Sequence, residues 1–321
     1  MQNELIIRPY RPSDEYKILD LYNAVFGKLI DIAEWKWRYL ENPYGGPNIV
    51  LMWDDELLVG HYAVAPINID INGTTFKAAL SLDTMTHPSY QGQGIFTRLA
   101  DNLYGILMKS ETSLVYGFPN KNSHYGFINK LHWIDIAAIP TLCLDFRIEG
   151  EKNEGISIKK ITTFTEDVDS LFQKTIKASR FNVEKSSKYL NWHFYSRPYR
   201  NYAALGAYIN DTLQGYCIYK LYNYENKTIG DIIDITYVRN IEVFRSLIVS
   251  VSHDLFNQGS DMVDIWMNEN AEYYKILTEM GFVRRPPMTN FGALILNKAL
   301  NHSGLTEWSN WNIQMGDSDI Y

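Results

Sequence analysis

The sequence predicts an α/β protein of two similar domains, each with a central mixed β-sheet that carries helices on both faces. Three observations lead to this prediction: the length of 321 residues, a repeat that links the two halves, and alternating strand-like and helix-like segments within each half. The chain is longer than the roughly 100–200 residues of one domain. Alternating strands and helices favour a sheet that is covered by helices.

The repeat begins with an aromatic motif, in which WKWRYLENPYG at 35–45 resembles YLNWHFYSRPYRN at 189–201. The matched pairs, each 155 positions apart, are Trp37 and Trp192, Pro43 and Pro198, Tyr44 and Tyr199, and Gly60 and Gly215. Farther on, NKNSHYGFINKLHW at 120–133 resembles NENAEYYKILTEMGF at 268–282. Glycines and charges at 147–160 interrupt the apolar pattern. We therefore predict domains at 1–148 and 156–299, and a C-terminal tail at 300–321 that docks on the body.

The elements of the first half follow from apolar spacing and turn residues. In order, we predict a strand at 5–10, a helix at 14–27 opened by Ser13 and Asp14, a helix around 35–40, three strands within 48–88, a helix after Gly94, a strand at 113–119, a helix at 123–131 and a strand at 139–146. The second half repeats this order and ends in a strand within 288–298.

Composition restricts the partners. The net charge is −7 without a basic block, which argues against nucleic acid. No run approaches 18 apolar residues, so we expect no membrane span. The first residues, MQNE, are polar and do not begin a signal peptide, which favours a cytoplasmic protein. Cys143 and Cys217 lie in strand-like runs, so we expect two buried thiols and no metal site.

Two glycines mark the junction between a strand and a helix, in THPSYQGQGIFTRL at 86–99. Glycines let backbone N–H groups turn inward, and a helix N-terminus attracts anions. The spacing matches neither a Walker loop nor a dinucleotide fingerprint. The sequence therefore predicts a cradle for the pyrophosphate of a nucleotide-bearing cofactor. The alternative is a glycine turn that only permits a tight bend.

This junction resembles the acetyl-coenzyme A loop of the GNAT acetyltransferases, whose pattern is Arg/Gln-x-x-Gly-x-Gly/Ala. Gln91 and Gly94 match the pattern, and Phe96 departs from its last position, as in tandem-GNAT enzymes of the enhanced-intracellular-survival type. The resemblance implies two tandem GNAT-like domains with acetyl-CoA as cosubstrate. The cofactor contacts that it implies are Met85, Thr86, Gln91, Gly92, Gln93, Gly94, Ile95, Phe96, Thr97 and Asn122. The second half lacks the glycines, so we expect a degenerate domain and one coenzyme A per chain.

Three catalytic candidates follow. Asp83 is the main carboxylate on the incoming strand, as a base or, alternatively, a cap on a neighbouring loop. The family's usual acidic tyrosine is absent, and Tyr125, one turn earlier, either replaces it or packs between helix and sheet. In the similar enhanced-intracellular-survival enzymes a terminal carboxylate acts as base, which implies that role for Tyr321. The alternative is a tail that only packs the two halves together.

The acceptor is expected to be a small amine, such as an amino sugar or an aminoglycoside-like compound. Trp35 and Arg38 lie on the helix that lines the acceptor pocket in the family. An acidic, aromatic-rich protein suits a cationic acceptor. The alternatives are a non-catalytic coenzyme A-binding protein and an aminoacyl-tRNA-dependent ligase of the tandem-GNAT type. The ligase is disfavoured because it needs a basic surface.

Overall fold

The structure is a computed structural model that describes residues 4–148, 153–176, 180–199, 201–287 and 289–321. Its helices are α1 (Glu15–Phe26), α2 (Ile32–Leu40), α3 (Ile95–Lys109), α4 (Glu166–Thr175), α5 (Ser187–Leu190), α6 (Ile241–Asn257) and α7 (Tyr274–Glu279). The strands of the first half are β1 (Ile6–Pro9), β2 (Asn48–Asp54), β3 (Leu57–Ile71), β4 (Thr74–Thr86), β5 (Leu114–Gly117), β6 (Ile134–Ala138) and β7 (Thr141–Leu144). The strands that follow are β8 (Ser157–Lys160), β9 (Phe181–Val183), β10 (Ala203–Ile209), β11 (Thr212–Tyr224), β12 (Lys227–Tyr237), β13 (Met262–Trp266), β14 (Val283–Arg285), β15 (Asn290–Ile295) and β16 (Trp311–Asn312).

Two mixed sheets organise the chain, and this confirms the predicted α/β class. The first sheet runs β1-β2-β3-β4-β5-β15-β6, with β9 and β16 attached at the end of β3. The second runs β14-β7-β13-β12-β11-β10-β8. Helix α3 covers the outer face of the first sheet, and α6 covers the outer face of the second. The inner faces share one core with α1, α2, α4, α5 and the tail.

The two halves exchange a strand. β15 lies between β5 and β6 of the first sheet, where Gly292 is paired with Gly117. In return, β7 lies between β13 and β14 of the second sheet. The last strand of each half therefore completes the sheet of the other half. The division of the chain into domains at 1–148 and 156–299 remains a prediction. Each of the two hydrogen-bonded sheets contains one strand from the other half of the chain.

The matched tryptophans of the repeat lie where the two halves meet. The rings of Trp37 and Trp192 stack with their centroids 5.0 Å apart. Each indole N–H donates to the backbone carbonyl of the other tryptophan, at 2.8 Å and 3.2 Å. This reciprocal pair buries both indole donors, as buried tryptophans require. The motif that repeats in the sequence is therefore a contact between the two halves.

The matched glycines have a different role. A Cβ atom on Gly60 would approach Ile95 Cγ2 of α3 to 2.6 Å, and one on Gly215 would approach Leu247 Cδ1 of α6 to 3.1 Å. Each glycine thus lets the helix after the central hairpin pack closely on its sheet.

The helix predicted at 123–131 is confirmed as a helix, and its last turn is a π-helix at Gly126–Lys130. One local expectation was wrong. Neither Ser13 nor Asp14 caps α1 with its side chain; the Asp14 carboxylate instead binds the Arg8 guanidinium, at 2.6 Å and 2.8 Å. A charged partner outcompetes the weaker capping bond.

None of the helices in the described part of the chain is long and apolar enough to cross a membrane. Cys143 and Cys217 are buried free thiols, as predicted.

Candidate active site

The glycine turn between β4 and α3 has the geometry of an anion cradle. Gly92 and Gly94 have φ values of +76° and +73°, in the left-handed region that disfavours residues with a Cβ. At both positions a Cβ atom would meet nothing within 4 Å, and Gln91 to Gly94 are all exposed. The backbone of the turn is therefore open to a ligand.

The helix after the turn is open at its N-terminus. Gly94 is the N-cap of α3 and offers no side-chain hydrogen bond, and the first turn contains no acidic residue. The amides of Ile95, Phe96 and Thr97 have no carbonyl partner within the helix, because the first donors of any helix lack one. These donors and the helix dipole favour a bound anion such as a phosphate.

The corresponding helix of the second half is closed. The Asn240 side chain accepts hydrogen bonds from the amides of Glu242, at 2.9 Å, and Val243, at 3.4 Å. Glu242 also places an acidic residue in the first turn of α6. The donors that could hold a phosphate are thus occupied, and the carboxylate repels one.

A gap opens beside β4 just before the glycine turn. β5 pairs with β4 at Ala78–Leu80, and within the described residues no strand continues this pairing along Ser81–Thr86. The amide of His87 donates to the Val59 carbonyl at 2.9 Å. Because successive residues of a strand point to opposite sides, the amide of Thr86 faces the gap and that of Met85 faces β3. The gap and the cradle lie at the same end of the strand.

Phe96, the departure from the family pattern, packs at the edge of the same region. Its ring lies 5.2 Å from the ring of Phe127. A Cβ atom on Gly126 would approach the Phe96 ring to 3.0 Å. The phenyl ring therefore fills the space between α3 and the π-helix at Gly126–Lys130, where a smaller residue would leave a hole.

Asp83 lies in a bulge of β4, with a φ of +46°. One carboxylate oxygen accepts hydrogen bonds from Arg38 Nη1 at 2.8 Å and from the Tyr39 hydroxyl at 2.5 Å. The Asp83 carbonyl accepts a bond of 2.6 Å from His61 Nδ1. Burial raises the pKa of Asp83, but the charge of Arg38 and the bond from Tyr39 outweigh it and hold this pKa below its ordinary value. Asp83 is therefore a stable anion and a weak base.

The Asp83–Arg38 pair belongs to a larger charged network. Glu34 accepts a bond from Arg197 at 3.1 Å and lies 3.6 Å from Arg38. Beside this network is a cavity of about 30 Å³, enough for about two water molecules. Its polar lining comes from Arg38, His193, Arg197, Ser318, Asp319 and Tyr321. Residues of both halves and of the tail thus meet at one small cavity.

The two predicted acceptor contacts differ in position. Arg38 lines the cavity. Trp35 is only 1% exposed and packs against Tyr10 and Tyr39, with ring centroids 5.4 Å and 5.3 Å apart. Trp37, rather than Trp35, lines the cavity. The placement of Trp35 is that of a core residue.

Tyr125 and Asn122 lie on the segment that faces the glycine turn. Tyr125 is 65% exposed and immediately precedes Gly126, against which Phe96 packs. Asn122 is exposed, and its amide is held by the Asn120 side chain at 2.9 Å. Both side chains are therefore accessible beside the cradle, and the packing of Tyr125 between helix and sheet that we considered is not observed.

Tyr321 is anchored in the second half. Its hydroxyl donates to Asp231 at 2.7 Å, and Lys220 Nζ lies 4.4 Å from its ring centroid. The sequence analysis assigned no role to six residues near the site, which are Glu34, Tyr39, His61, Arg197, Asp317 and Asp319. Their signal in the sequence is weak, because they come from four separate segments.

A cavity of about 540 Å³ lies elsewhere, between α6 and the segments that flank the junction of the halves. It is remote from the cradle and contains neither of its glycines. Among the described residues, no group of three His, Cys, Asp or Glu side chains is placed to hold a metal ion.

Comparison with known proteins agrees with the open cradle and the gap. Residues 6–134 match the model of the family described as Acetyltransferase (GNAT) domain. These residues form a GNAT acetyltransferase domain. The protein is an N-acetyltransferase. No curated protein matches its sequence.

Solved structures match nearly the whole acetyltransferase. A GCN5-related N-acetyltransferase from Anabaena variabilis has 13% identity and a TM-score of 0.73, covering 92% of this chain and 73% of that one. A fungal GCN5-related glucosamine N-acetyltransferase region within a β-N-acetylglucosaminidase has 14% identity and a TM-score of 0.63, covering 92% of this chain and 38% of that one. Eis1 from Mycobacterium abscessus has 11% identity and a TM-score of 0.57, covering 91% and 74%. The Eis1 match agrees with the predicted tandem GNAT-like fold.

Proposed function

We propose that the enzyme transfers an acetyl group from acetyl-CoA to the amine of a small acceptor of the amino-sugar or aminoglycoside type. The observation that carries this proposal is the open glycine cradle in front of an uncapped helix, beside an unpaired edge of β4. The fit to the cosubstrate is good, because two positive-φ glycines leave room for a pyrophosphate. When bound, acetyl-CoA supplies an activated acetyl thioester.

The chain's own residues would hold the cosubstrate as follows. The amides from Gln91 to Thr97 bind the pyrophosphate at the start of α3. The strand edge at Met85 and Thr86 holds the acyl arm, with the Thr86 amide directed into the gap. Asn122 contributes from the facing segment, and Tyr125 donates a proton to the departing sulfur. One coenzyme A binds per chain, because α6 is capped by Asn240.

The acceptor would be held at the charged cavity. Asp83 and Glu34 attract a cationic amine, and Arg38 keeps Asp83 in place. Opposite charges in a buried site orient a substrate strongly. The glucosamine N-acetyltransferase named above has the same fold, which supports an amino sugar. Because the cavity is about 30 Å³ in size, such an acceptor would enter it only when the side chains around it move.

Tyr321, which lines the cavity together with Arg38, remains a candidate base. We also propose a cytoplasmic location, because Cys143 and Cys217 stay free thiols in a reducing compartment.

The test is calorimetric titration with coenzyme A and acetyl-CoA, followed by thiol release with D-glucosamine, kanamycin and simple amines. We expect saturation at one cosubstrate per chain and thiol release with at least one amino sugar. Saturation at two sites would contradict the closed second half. Binding without thiol release from any amine would contradict the proposed acceptor class.

A further inference from the structure

The C-terminal segment at 313–321 is bound by the second half of the molecule at the edge of β12, the strand that corresponds to β4 of the first half. β12 pairs with β13 at Ile229–Ile232, and beyond that its edge opens as the edge of β4 does. There the Gln314 carboxamide accepts from the Ile235 amide at 2.6 Å and donates to the Ile235 carbonyl at 3.1 Å. The tail thus pairs with the strand edge through a side chain.

A buried ion cluster fixes the next turn of the tail. Lys185 Nζ lies 2.6 Å from Asp234 of β12 and also binds the Asp317 carboxylate. The second Asp317 oxygen accepts the Gln314 amide at 2.8 Å. All three charged side chains are at least 96% buried. Removing one member of such a cluster is costly, so the segment has one well-defined position.

The same segment reaches the first half. The Tyr116 hydroxyl of β5 donates to the Asp317 carbonyl at 3.0 Å. Two residues later Asp319 lines the cavity together with Arg38 and Trp37. Its carboxylate receives no hydrogen bond from another side chain of the described residues. The second half therefore holds the tail so that a carboxylate without a side-chain hydrogen bond lines the cavity beside Arg38.

Asp319, which lines the cavity, and Asp83, which binds the cavity residue Arg38, have opposite electrostatic environments. Asp83 is paired with Arg38 and Tyr39, whereas burial and the charge of Asp83 raise the pKa of Asp319 to about 6. The charged and titratable groups that face Asp319 are Asp83 on β4, Arg38 on α2, Tyr22 on α1, and His193 and Arg197 from the second half. Neighbouring groups with separated pKa values identify an acid and base pair in many enzymes.

We infer that Asp319 is the catalytic base of the acetyltransferase and that Gln314 and Asp317 are positioning residues. This inference rests on the proposed function. The Asp319 carboxylate takes one proton from the acceptor ammonium, which becomes a neutral amine with a free lone pair, and the resulting carboxylic acid releases that proton to solvent. Asp83 stays ionised and attracts the ammonium. The second half thereby contributes to catalysis through its hold on the tail.

The first experiment measures Asp319 directly, without any acceptor. Carbon-13 NMR of aspartate-labelled protein is recorded from pH 4 to 8 for the wild type and for Asp319→Asn. We expect one carboxyl signal that titrates near pH 6 and is missing in the variant. A signal from Asp319 that titrates near pH 4 or below would overturn the inference.

The second experiment uses D-glucosamine and acetyl-CoA between pH 5 and 9. For the wild type we expect kcat/KM to fall tenfold per pH unit below about pH 6. For Asp319→Asn we expect kcat/KM to be about 10²–10⁴-fold lower than for the wild type and to show no such fall below pH 6. The affinity of the variant for acetyl-CoA should stay within twofold of that of the wild type. The matched control is Ile320→Ala, a neighbour that is 52% exposed, with activity within twofold.

The outcomes separate the two proposals. A wild type that releases no thiol with any amine contradicts the proposed function. An active wild type with an equally active Asp319→Asn variant overturns only the present inference. A further variant carries two glycines after Tyr321. If this variant loses turnover while Asp319→Asn keeps it, the inference about Asp319 is overturned, because the carboxylate of Tyr321 is then the base. Gln314→Ala tests the positioning role. We expect its kcat to fall at least threefold, while the fall of kcat/KM below about pH 6 is retained.

Discussion

Replacing Asp319 by asparagine should stabilise the protein at neutral pH while it removes activity. The folded protein raises the pKa of Asp319 from 3.8 to about 6, so between these values the folded state binds more protons than the unfolded state. Stability of the wild type therefore falls as pH rises from about 4 to 6, and the loss is complete above pH 6. Asparagine carries no charge and avoids this loss.

The magnitude follows from the shift. One pKa unit corresponds to about 1.4 kcal/mol, so a rise of this size corresponds to about 3 kcal/mol when the group is fully ionised. Asp319 is only partly buried, and water screens part of the interaction. We therefore expect Asp319→Asn to be about 1–3 kcal/mol more stable than the wild type at pH 7.5, with little difference at pH 4.

Urea unfolding at pH 4, 6 and 7.5 measures this difference. The control is Asp101→Asn on the exposed side of α3, which corrects for the loss of one negative charge far from the cavity. A structural carboxylate gives the opposite result, because its removal lowers stability. A variant that is less stable than the wild type at pH 7.5, or a difference that does not change with pH, would refute the reasoning.

Three other substitutions test the remaining sites. Gly94→Val should weaken coenzyme A binding at least tenfold, about 1.4 kcal/mol by calorimetry, whereas Gly259→Val, with a similar positive φ in the second half, should not. Asp83→Asn should lower turnover with acetyl-CoA affinity within twofold; full activity across pH would make Asp83 purely structural. Lys185→Met should cost about 3–5 kcal/mol in urea unfolding, because two buried carboxylates lose their cation. The comparison is Lys159, which forms an exposed ion pair with Asp211. Lys159→Met should lower the free energy of unfolding by at most about 1 kcal/mol.

The sequence predicted the layered α/β fold and the cradle because both depend on local patterns. Alternating residues predicted the hairpin of β3 and β4, and spacing of four predicted α3. Gly92 and Gly94 mark a turn that only glycine adopts without strain. The sequence also shows that the first turn of α3 has no acidic residue, whereas the first turn of α6 contains Glu242.

The structure changed the expectations that depend on distant partners. The strand at Thr141–Leu144 was predicted correctly as a strand, yet its apolar alternation fits either sheet, so its sequence does not say which one it joins. Trp35 and Trp37 look alike on one helix, and only the opposing Trp192 decides which one faces the cavity. The helix predicted at 123–131 is present, but its winding as a π-helix at Gly126–Lys130 could not be predicted from the apolar spacing.

By itself the sequence determined two related halves, the strands and most helices, and an anion cradle in the first half alone. Tertiary structure alone decided the exchange of β7 and β15 and the proximity of Asp83, Arg38 and Asp319 to one another. The physical reason is separation along the chain: Arg38 and Asp83 are 45 residues apart and Lys185 and Asp317 are 132 apart. Charge pairs over such distances have no periodic pattern in the sequence, and they depend on how the helices, the sheets and the tail pack together.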